Sequence, residues 1–485
     1  MIFNSISYIF FLFIAVTLYW ILPAPSRRWL ILGASLLFYG MWRIEFVPLI
    51  VFSALVDYYL SLRIHASSNP ARRRWLLGVS LTTNLGLLAY FKYTYFILEN
   101  ISYLGRLFDY DPRADVGAII LPLGISFYTF LSISYTLDVY RRVFEPVKNF
   151  PLYLAYVMFW PHMIAGPILR AQELIPQLLA THRLSLNKIV SGLKLILWGL
   201  FLKVGLADQL APWVDEAFAV EPSVLGGLDV WTMSYAFGLQ IYFDFAGYSF
   251  IAIGSARLLG IVFPDNFDWP YLATSPREFW KRWHITLSSW IRDYLYLPLR
   301  GKHFSDRSAG GIDVRADDDQ GLARPIAALF LTWFLMGLWH GASWNFALWG
   351  LWHAVLILGY RLWKKNVGHA PLWWTALLGW FVTQPLLMLS WILFRTTSAT
   401  RSVETLARIF DVSSYQQLGF RENFYLLTFV FFVGMVALGL ATRHRHRFAS
   451  NVWLTYAAEI GATAVVIFVV LIFFRPLNQF IYFQF

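Results

Sequence analysis

Trp333-Phe-Leu-Met-Gly-Leu-Trp-His-Gly-Ala-Ser-Trp344 lies inside a run of 36 residues, Pro325 to Tyr360, that contains no Asp, Glu, Lys or Arg. Such a run is bilayer material, since about 20 apolar residues suffice to cross the hydrocarbon core. His340 stands within it, and an ionisable side chain at membrane depth is costly enough to need a reason. Two readings stay open from the residues alone: a core histidine hydrogen-bonded to a carbonyl, or a working base. Gly337 and Gly341 form a Gly-x-x-x-Gly pair, which lets helices approach closely, so tight packing is expected around the imidazole. A neutral imidazole is the form that accepts a proton from a hydroxyl.

The rest of the chain has the same solvent. Of its 485 residues, 58% are hydrophobic, 19% aromatic and only 14% charged, where a soluble domain carries about 25% charged residues. The predicted class is an all-α polytopic membrane protein. Expected spans cover 6–23, 28–42, 46–62, 75–98, 116–140, 187–206, 229–257, 325–342, 344–362, 372–394, 424–441 and 454–474, for a total of about 11–13 transmembrane helices. Two more segments are apolar but broken: 150–169, interrupted by Pro161 and Pro167, and 275–299, which is aromatic and basic. The first is either a re-entrant element lining a chamber or a kinked span, because open backbone at membrane depth survives only inside protein or along a water-filled cavity. No internal repeat and no separate soluble domain is visible. A single membrane domain over 1–485 is expected, with its catalytic region near 150–362 and a tail at 476–485.

The net charge of +11 is carried by short loops, the pattern of topology determinants rather than of a nucleic-acid footprint. Arg63 and Arg72 to Arg74 mark a cytoplasmic loop, and the acidic stretch 99–115 belongs outside. Arg141, Arg142 and Lys148 bring the chain back inside, and Arg443, Arg445 and Arg447 mark a late cytoplasmic loop. Counting back places the N-terminus outside. Its first apolar stretch lacks a basic leader and a cleavage site, so it is expected to be retained. Loop 300–324, with five basic residues and five Asp, is expected to be solvated. The absence of cysteine excludes disulfides and thiolate chemistry. No metalloprotease motif, nucleophile elbow or phosphate-binding glycine loop occurs, and no metal site is expected from the scattered histidines.

Ser275-Pro-Arg-Glu278 is a helix-start pattern, with Ser275 as N-cap and Glu278 completing a capping box. Glu278 and Arg282 should pair at i, i+4. On one continuous helix His284, Ser288 and Arg292 would form a polar stripe. That helix is either interfacial, with snorkelling basic side chains, or it lets Arg277, Lys281, Arg282 and Arg292 attract the phosphates of an anionic donor. Gln240, Asp244 and Tyr248 share another face, and an intramembrane Asp244 is either structurally paired or catalytic.

Five segments then carry a resemblance. Pro161-His-Met-Ile-Ala-Gly-Pro167, Gln240-Ile-Tyr-Phe-Asp-Phe-Ala-Gly-Tyr248, Arg277-Glu-Phe-Trp-Lys-Arg-Trp-His284 through Asp293-Tyr-Leu-Tyr-Leu-Pro298, Gly337-Leu-Trp-His-Gly341 and the terminal Phe480-Ile-Tyr-Phe-Gln-Phe485 stand in family order. Together they resemble the membrane-bound O-acyltransferase (MBOAT) family, in particular its bacterial alginate-acetylating branch. The resemblance implies a helical bundle around a central tunnel whose funnels meet at a catalytic histidine, here His340. His284 resembles the family's second conserved polar position. It also implies a bacterial inner-membrane enzyme that takes acetyl from acetyl-CoA, holds no tightly bound cofactor, and works with a periplasmic SGNH-hydrolase-like subunit. The acceptor glycan stays open among alginate, cellulose, peptidoglycan and others. The tail resembles a C-terminal tyrosine motif proposed to carry acyl groups, which makes Tyr482 a candidate carrier. A phenol with pKa about 10 forms a more reactive ester than an alkyl alcohol. The alternative is that the aromatic terminus only anchors at the interface. The rival from another class is a transporter or flippase of a polysaccharide export system. Such proteins commonly carry repeats and paired broken helices, whereas this sequence offers one candidate re-entrant element, 150–169, and no repeat.

Overall fold

The computed structural model describes residues 2–106, 108, 117–164, 166–301, 323–367, 373–444, 452–474 and 480–481. Among these there are helices and no strands. Loop residues 302–322, Arg445, Arg447 and Tyr482 lie outside the described residues.

Each of the twelve expected apolar stretches contains a helix. Six helices are long and apolar enough to cross a membrane: Ile44–Ala66, Leu186–Ala219, Gly227–Leu258, Trp344–Lys365, Trp374–Arg395 and Glu422–Arg443. Ile6–Ile21, Pro325–His340 and Ala458–Phe473 are apolar but shorter. The remaining three expected spans fall on Ala24–Gly40, Pro70–Leu88 and Ile125–Tyr140. The first two carry arginines in their opening turns, and the third holds Ser132, Ser134, Thr136 and Asp138, which lowers their hydropathy.

The chain divides into two compact units. The first comprises Met1–Ile196 and Tyr248–Pro264. Its broken element is real: Phe150–Met158 ends at Phe159, and a separate four-residue helix, Trp160–Met163, follows with Pro161 in its first turn. Pro161 has no N–H to continue the preceding helix. His162 is buried there between the rings of Tyr156, Phe159 and Phe263. Deeper in this unit Asp57 is fully buried, and it accepts from Ser80 Oγ at 2.5 Å and from Asn84 Nδ2 at 2.9 Å. The Tyr248 hydroxyl donates to Asn4 Oδ1 at 3.2 Å. Neutral donors thus satisfy polar atoms that lipid cannot.

The second unit comprises Leu197–Gly247 and Asp265–Phe485. At its centre the helices Ala323–His340 and Trp344–Val367 form a tight hairpin. Gly337 and Gly350 meet where the helices touch. A Cβ on Gly337 would overlap the Phe346 carbonyl oxygen, and one on Gly350 would overlap that of Trp333. The expected close approach at Gly337 is therefore made with a glycine of the next helix. Asn345 ties the hairpin to the end of helix Trp373–Arg395 by donating to the Thr396 carbonyl at 2.8 Å.

Gly350→Ala should separate these backbones and cost about 1–3 kcal/mol, the usual penalty for overpacking. Gly359, in the same helix, would have nothing within 4 Å of an added Cβ, so Gly359→Ala should be neutral or slightly stabilising. Thermal unfolding of both variants in detergent checks this, and equal midpoints would refute the close-approach argument.

Candidate functional site

His340 is the last residue of the first hairpin helix, and only 4% of it is exposed. Its ring is caged by Trp339, Trp349 and Phe394, with centroids at 4.9, 5.0 and 5.4 Å. The cage comes from three helices, because Trp349 stands just over one turn into Trp344–Val367 and Phe394 stands near the end of Trp373–Arg395. Gly341, directly after the histidine, packs against the Phe346 ring where any side chain would collide. That collision explains why glycine follows the histidine. In such an apolar cage a bound hydroxyl would meet the imidazole with little competition from water.

His284 requires a correction. It does not continue a helix from Ser275, so the stripe His284, Ser288, Arg292 does not exist as expected. Pro276–Arg282 ends, His284 adopts left-handed backbone (φ 42°, ψ 56°), and a new helix runs Ile285–Ile291. A bulky residue in that region costs of order 1–3 kcal/mol and persists only when its surroundings impose it. Here the imposition comes from the segment 266–268. The Ile285 amide donates to the Asn266 carbonyl at 3.0 Å, and the Asp268 amide donates to the Arg282 carbonyl at 2.9 Å. Asn266 Oδ1 also receives the Thr286 amide at 3.2 Å and the Thr286 hydroxyl at 2.9 Å. A backbone N–H can only donate, which fixes that atom as the oxygen. His284 Nδ1, 3.1 Å away, must therefore carry a proton and donate. In the neutral ring Nε2 is then the basic nitrogen.

The helix start is also modified. Ser275 Oγ accepts the Glu278 amide at 3.2 Å, but Glu278 reaches back to the Thr274 amide and hydroxyl, both at 2.8 Å, rather than to Ser275. Burial pushes the Glu278 carboxyl up, but the bonds from Thr274 and Arg282 outweigh it and hold the group below its ordinary range. The expected pair with Arg282 is present at 2.5 Å, and Arg282 also reaches Asp268 Oδ2 at 3.2 Å. Arg282 is thus committed to carboxylates. Arg292 pairs with the buried Asp293 at 2.8 Å. Lys281 is exposed and Arg277 half-buried, and neither forms an ion pair with another described residue. Of the four expected donor-binding cations, these two keep their charge available.

Asp244 turns out to be ion-paired, and the sequence reading missed its partner. Lys203 Nζ lies 2.6 Å from Asp244 Oδ1 and 2.7 Å from Asp208 Oδ1, with all three side chains buried. Lys203 sits in a π-helical stretch, Phe201–Ala207, between helices Leu186–Leu200 and Asp208–Ala219. The wider turn brings residues five apart onto one face, and so aligns Lys203 with Asp208. Gly247 lets the helices come this close, since a Cβ there would stand 2.8 Å from the Gly199 carbonyl oxygen. The signal was legible: Lys203 is the lone charge between Leu195 and Ala207. Asp244 Oδ2 accepts the Ile481 amide at 2.8 Å, so the start of the terminal segment is docked here. Tyr482 lies outside the described residues.

A third histidine was missed altogether. His353 is fully buried in Trp344–Val367, between Trp280, Trp333 and Trp349 at 5.0, 5.5 and 4.7 Å. Its Nδ1 accepts from Trp280 Nε1 at 3.3 Å. Trp349 therefore touches both His340 and His353. Through Trp391, which lies 6.1 Å from Trp349 and 5.1 Å from Trp283, the same aromatic layer reaches the residue before His284. A chain of ring contacts through Trp349, Trp391 and Trp283 thus links His340 and His353 to the residue before His284. Among the described residues no three His, Asp or Glu side chains converge as metal ligands.

The model of the family described as MBOAT, membrane-bound O-acyltransferase family, matches residues 145–310, which include His284 and Asp244. The chain is 37% identical over 420 residues to the probable alginate O-acetylase AlgI of Azotobacter vinelandii, covering 86% of this chain and 79% of that protein. It is 33% identical over 439 residues to the peptidoglycan O-acetyltransferase of Helicobacter pylori, covering 84% and 79%. It is 28% identical over 276 residues to the teichoic acid D-alanyltransferase of Bacillus subtilis, covering 54% and 65%. With relatives this similar over most of its length, the chain belongs to the membrane-bound O-acyltransferase family.

Proposed function

We propose that this O-acyltransferase moves acetyl from cytoplasmic acetyl-CoA to hydroxyls of an extracytoplasmic polysaccharide, with His340 as the base. The observation that carries the reading is His340 itself, an imidazole held in an aromatic cage within the charge-free run Pro325 to Tyr360. The glycan acceptor is supported by relatives named for alginate and peptidoglycan acetylation. In the first transfer the Tyr482 hydroxyl oxygen attacks the thioester carbonyl, its C–O bond forms, and the C–S bond breaks. The hydroxyl proton passes through the imidazole to the departing CoA thiolate. His284, with Nε2 as its basic nitrogen, is an accessory to this exchange. Arg277 and Lys281 draw in the donor phosphates.

The N-terminus is assigned to the periplasmic side of a bacterial inner membrane, from the distribution of Lys and Arg. The same counting places the tail on the acceptor side. There Tyr482 receives the acetyl as a phenol ester and passes it to a periplasmic subunit of SGNH-hydrolase type.

His340→Ala should lower polysaccharide acetylation by about 10²–10⁴-fold, the usual worth of a positioned base, with protein level unchanged. Measuring ester content in cells at matched expression tests this, and near-normal content would remove His340 from the chemistry. His284→Ala should impair less. Charge reversal of Arg277 and Lys281 should raise the KM for acetyl-CoA, most strongly at low salt, because exposed charges are screened over about 8–10 Å near physiological ionic strength. The same change at Arg282 should instead destabilise the protein by breaking its carboxylate pairs. A KM that ignores salt in the double variant would return the segment to an interfacial role. Tyr482→Phe should stop acetyl reaching the partner while leaving donor binding intact, and transfer at the unmodified rate would mean direct transfer.

A further inference from the structure

Termini usually fray unless something ties them down. This one is tied at two consecutive residues. Phe480 is fully buried, its ring 5.5 Å from that of Phe245, which in turn lies 4.6 Å from the His284 imidazole. Ile481 is 4% exposed, and its backbone N–H donates to Asp244 Oδ2 at 2.8 Å. The opposite oxygen of that carboxylate is the one held by Lys203 at 2.6 Å, and Lys203 is braced from the other side by Asp208 at 2.7 Å.

The charges explain why such a cluster suits a backbone amide. Within it one ammonium faces two carboxylates, and Lys203 occupies only one oxygen of Asp244. The other oxygen accepts the amide. An N–H donating to an ionised acceptor makes one of the stronger hydrogen bonds available in protein. The amide needs no particular side chain, so what is recognised is backbone entering beside His284. The placement is built locally as well. It uses the π-turn at Phe201–Ala207 and the bare Gly247, where a Cβ would stand 3.1 Å from the Lys203 backbone nitrogen.

We propose that Lys203, Asp208 and Asp244 form a latch that grips the protein's own C-terminal segment through the Ile481 amide and holds it beside His284. Asp244 is then a positioning residue that acts through the tail. The purpose of the latch rests on the reading of Tyr482 as acyl carrier, but the grip itself does not.

The chain has no cysteine, so a single Phe480→Cys substitution gives a clean reporter in the full-length protein. Its labelling by a membrane-permeant maleimide is compared in three backgrounds: otherwise unchanged, with Asp244→Ala, and with Ile481→Pro. Asp244→Ala leaves Lys203 paired with Asp208, and Ile481→Pro removes the donor N–H while also replacing the buried Ile481 side chain and fixing φ. In both, the cysteine should be modified about tenfold faster or more, as expected when a charge-assisted bond holding a segment is lost, while the unfolding midpoint of the rest of the protein is retained. Labelling at the parent rate in either folded variant overturns the latch. Accelerated labelling together with a Tyr482→Phe protein that still transfers acetyl keeps the latch and removes the carrier.

Discussion

The Lys203 ammonium lies between two carboxylates, 2.6 Å from one and 2.7 Å from the other, with nine-tenths or more of each side chain out of water. Taking these ions from water costs several kcal/mol each, which only close pairing and further hydrogen bonds repay. The cluster therefore dictates what surrounds it: a π-turn to align Lys203 with Asp208, a glycine at 247 to admit the backbone, and a docked tail to use the second oxygen of Asp244. Helix Gly227–Leu258, the π-turn and the terminal residues are held in one relationship by one cation.

The same pressure, that protein must partner polar groups where lipid cannot, shapes the histidines. Asn266 accepts from His284 Nδ1 and so leaves Nε2 as the basic nitrogen, while Trp280 donates to His353 Nδ1 and places the proton on Nε2. Two rings of the same residue type are thus fixed in opposite tautomers by their neighbours. His340 is surrounded by aromatic faces instead. Its cage leaves little room for water around the imidazole. The left-handed backbone at Trp269 and His284 brackets the segment that supplies Trp280, and strain of this kind collects where a site must be held in one shape.

Much of this was legible in the sequence. The absence of charge from Pro325 to Tyr360 announced the hairpin, and Gly337 announced its close approach. The cap at Ser275 and the Glu278–Arg282 pair follow from spacing alone. What spacing concealed was the break at His284, because the left-handed turn is imposed by Asn266 and Asp268 from another part of the chain, and helical periodicity carries no trace of them. Lys203 could have been found as the lone charge between Leu195 and Ala207, but its alignment with Asp208 needs a π-turn rather than 3.6 residues per turn. His353 looked like one more aromatic-flanked position, since burial between Trp280 and Trp349 is a tertiary fact. The docked Ile481 amide has no side-chain signature at all.

The central claim is that this protein breaks a thioester and does not merely move a substrate. The most direct measurement follows free thiol and ester together in purified protein reconstituted with radiolabelled acetyl-CoA. The chain contributes no thiol of its own, so every thiol detected comes from CoA. The account predicts one CoA thiol for each acetyl recovered as an oxygen ester on the tail or on an added acceptor. Label that crosses the membrane with no thiol released would contradict it.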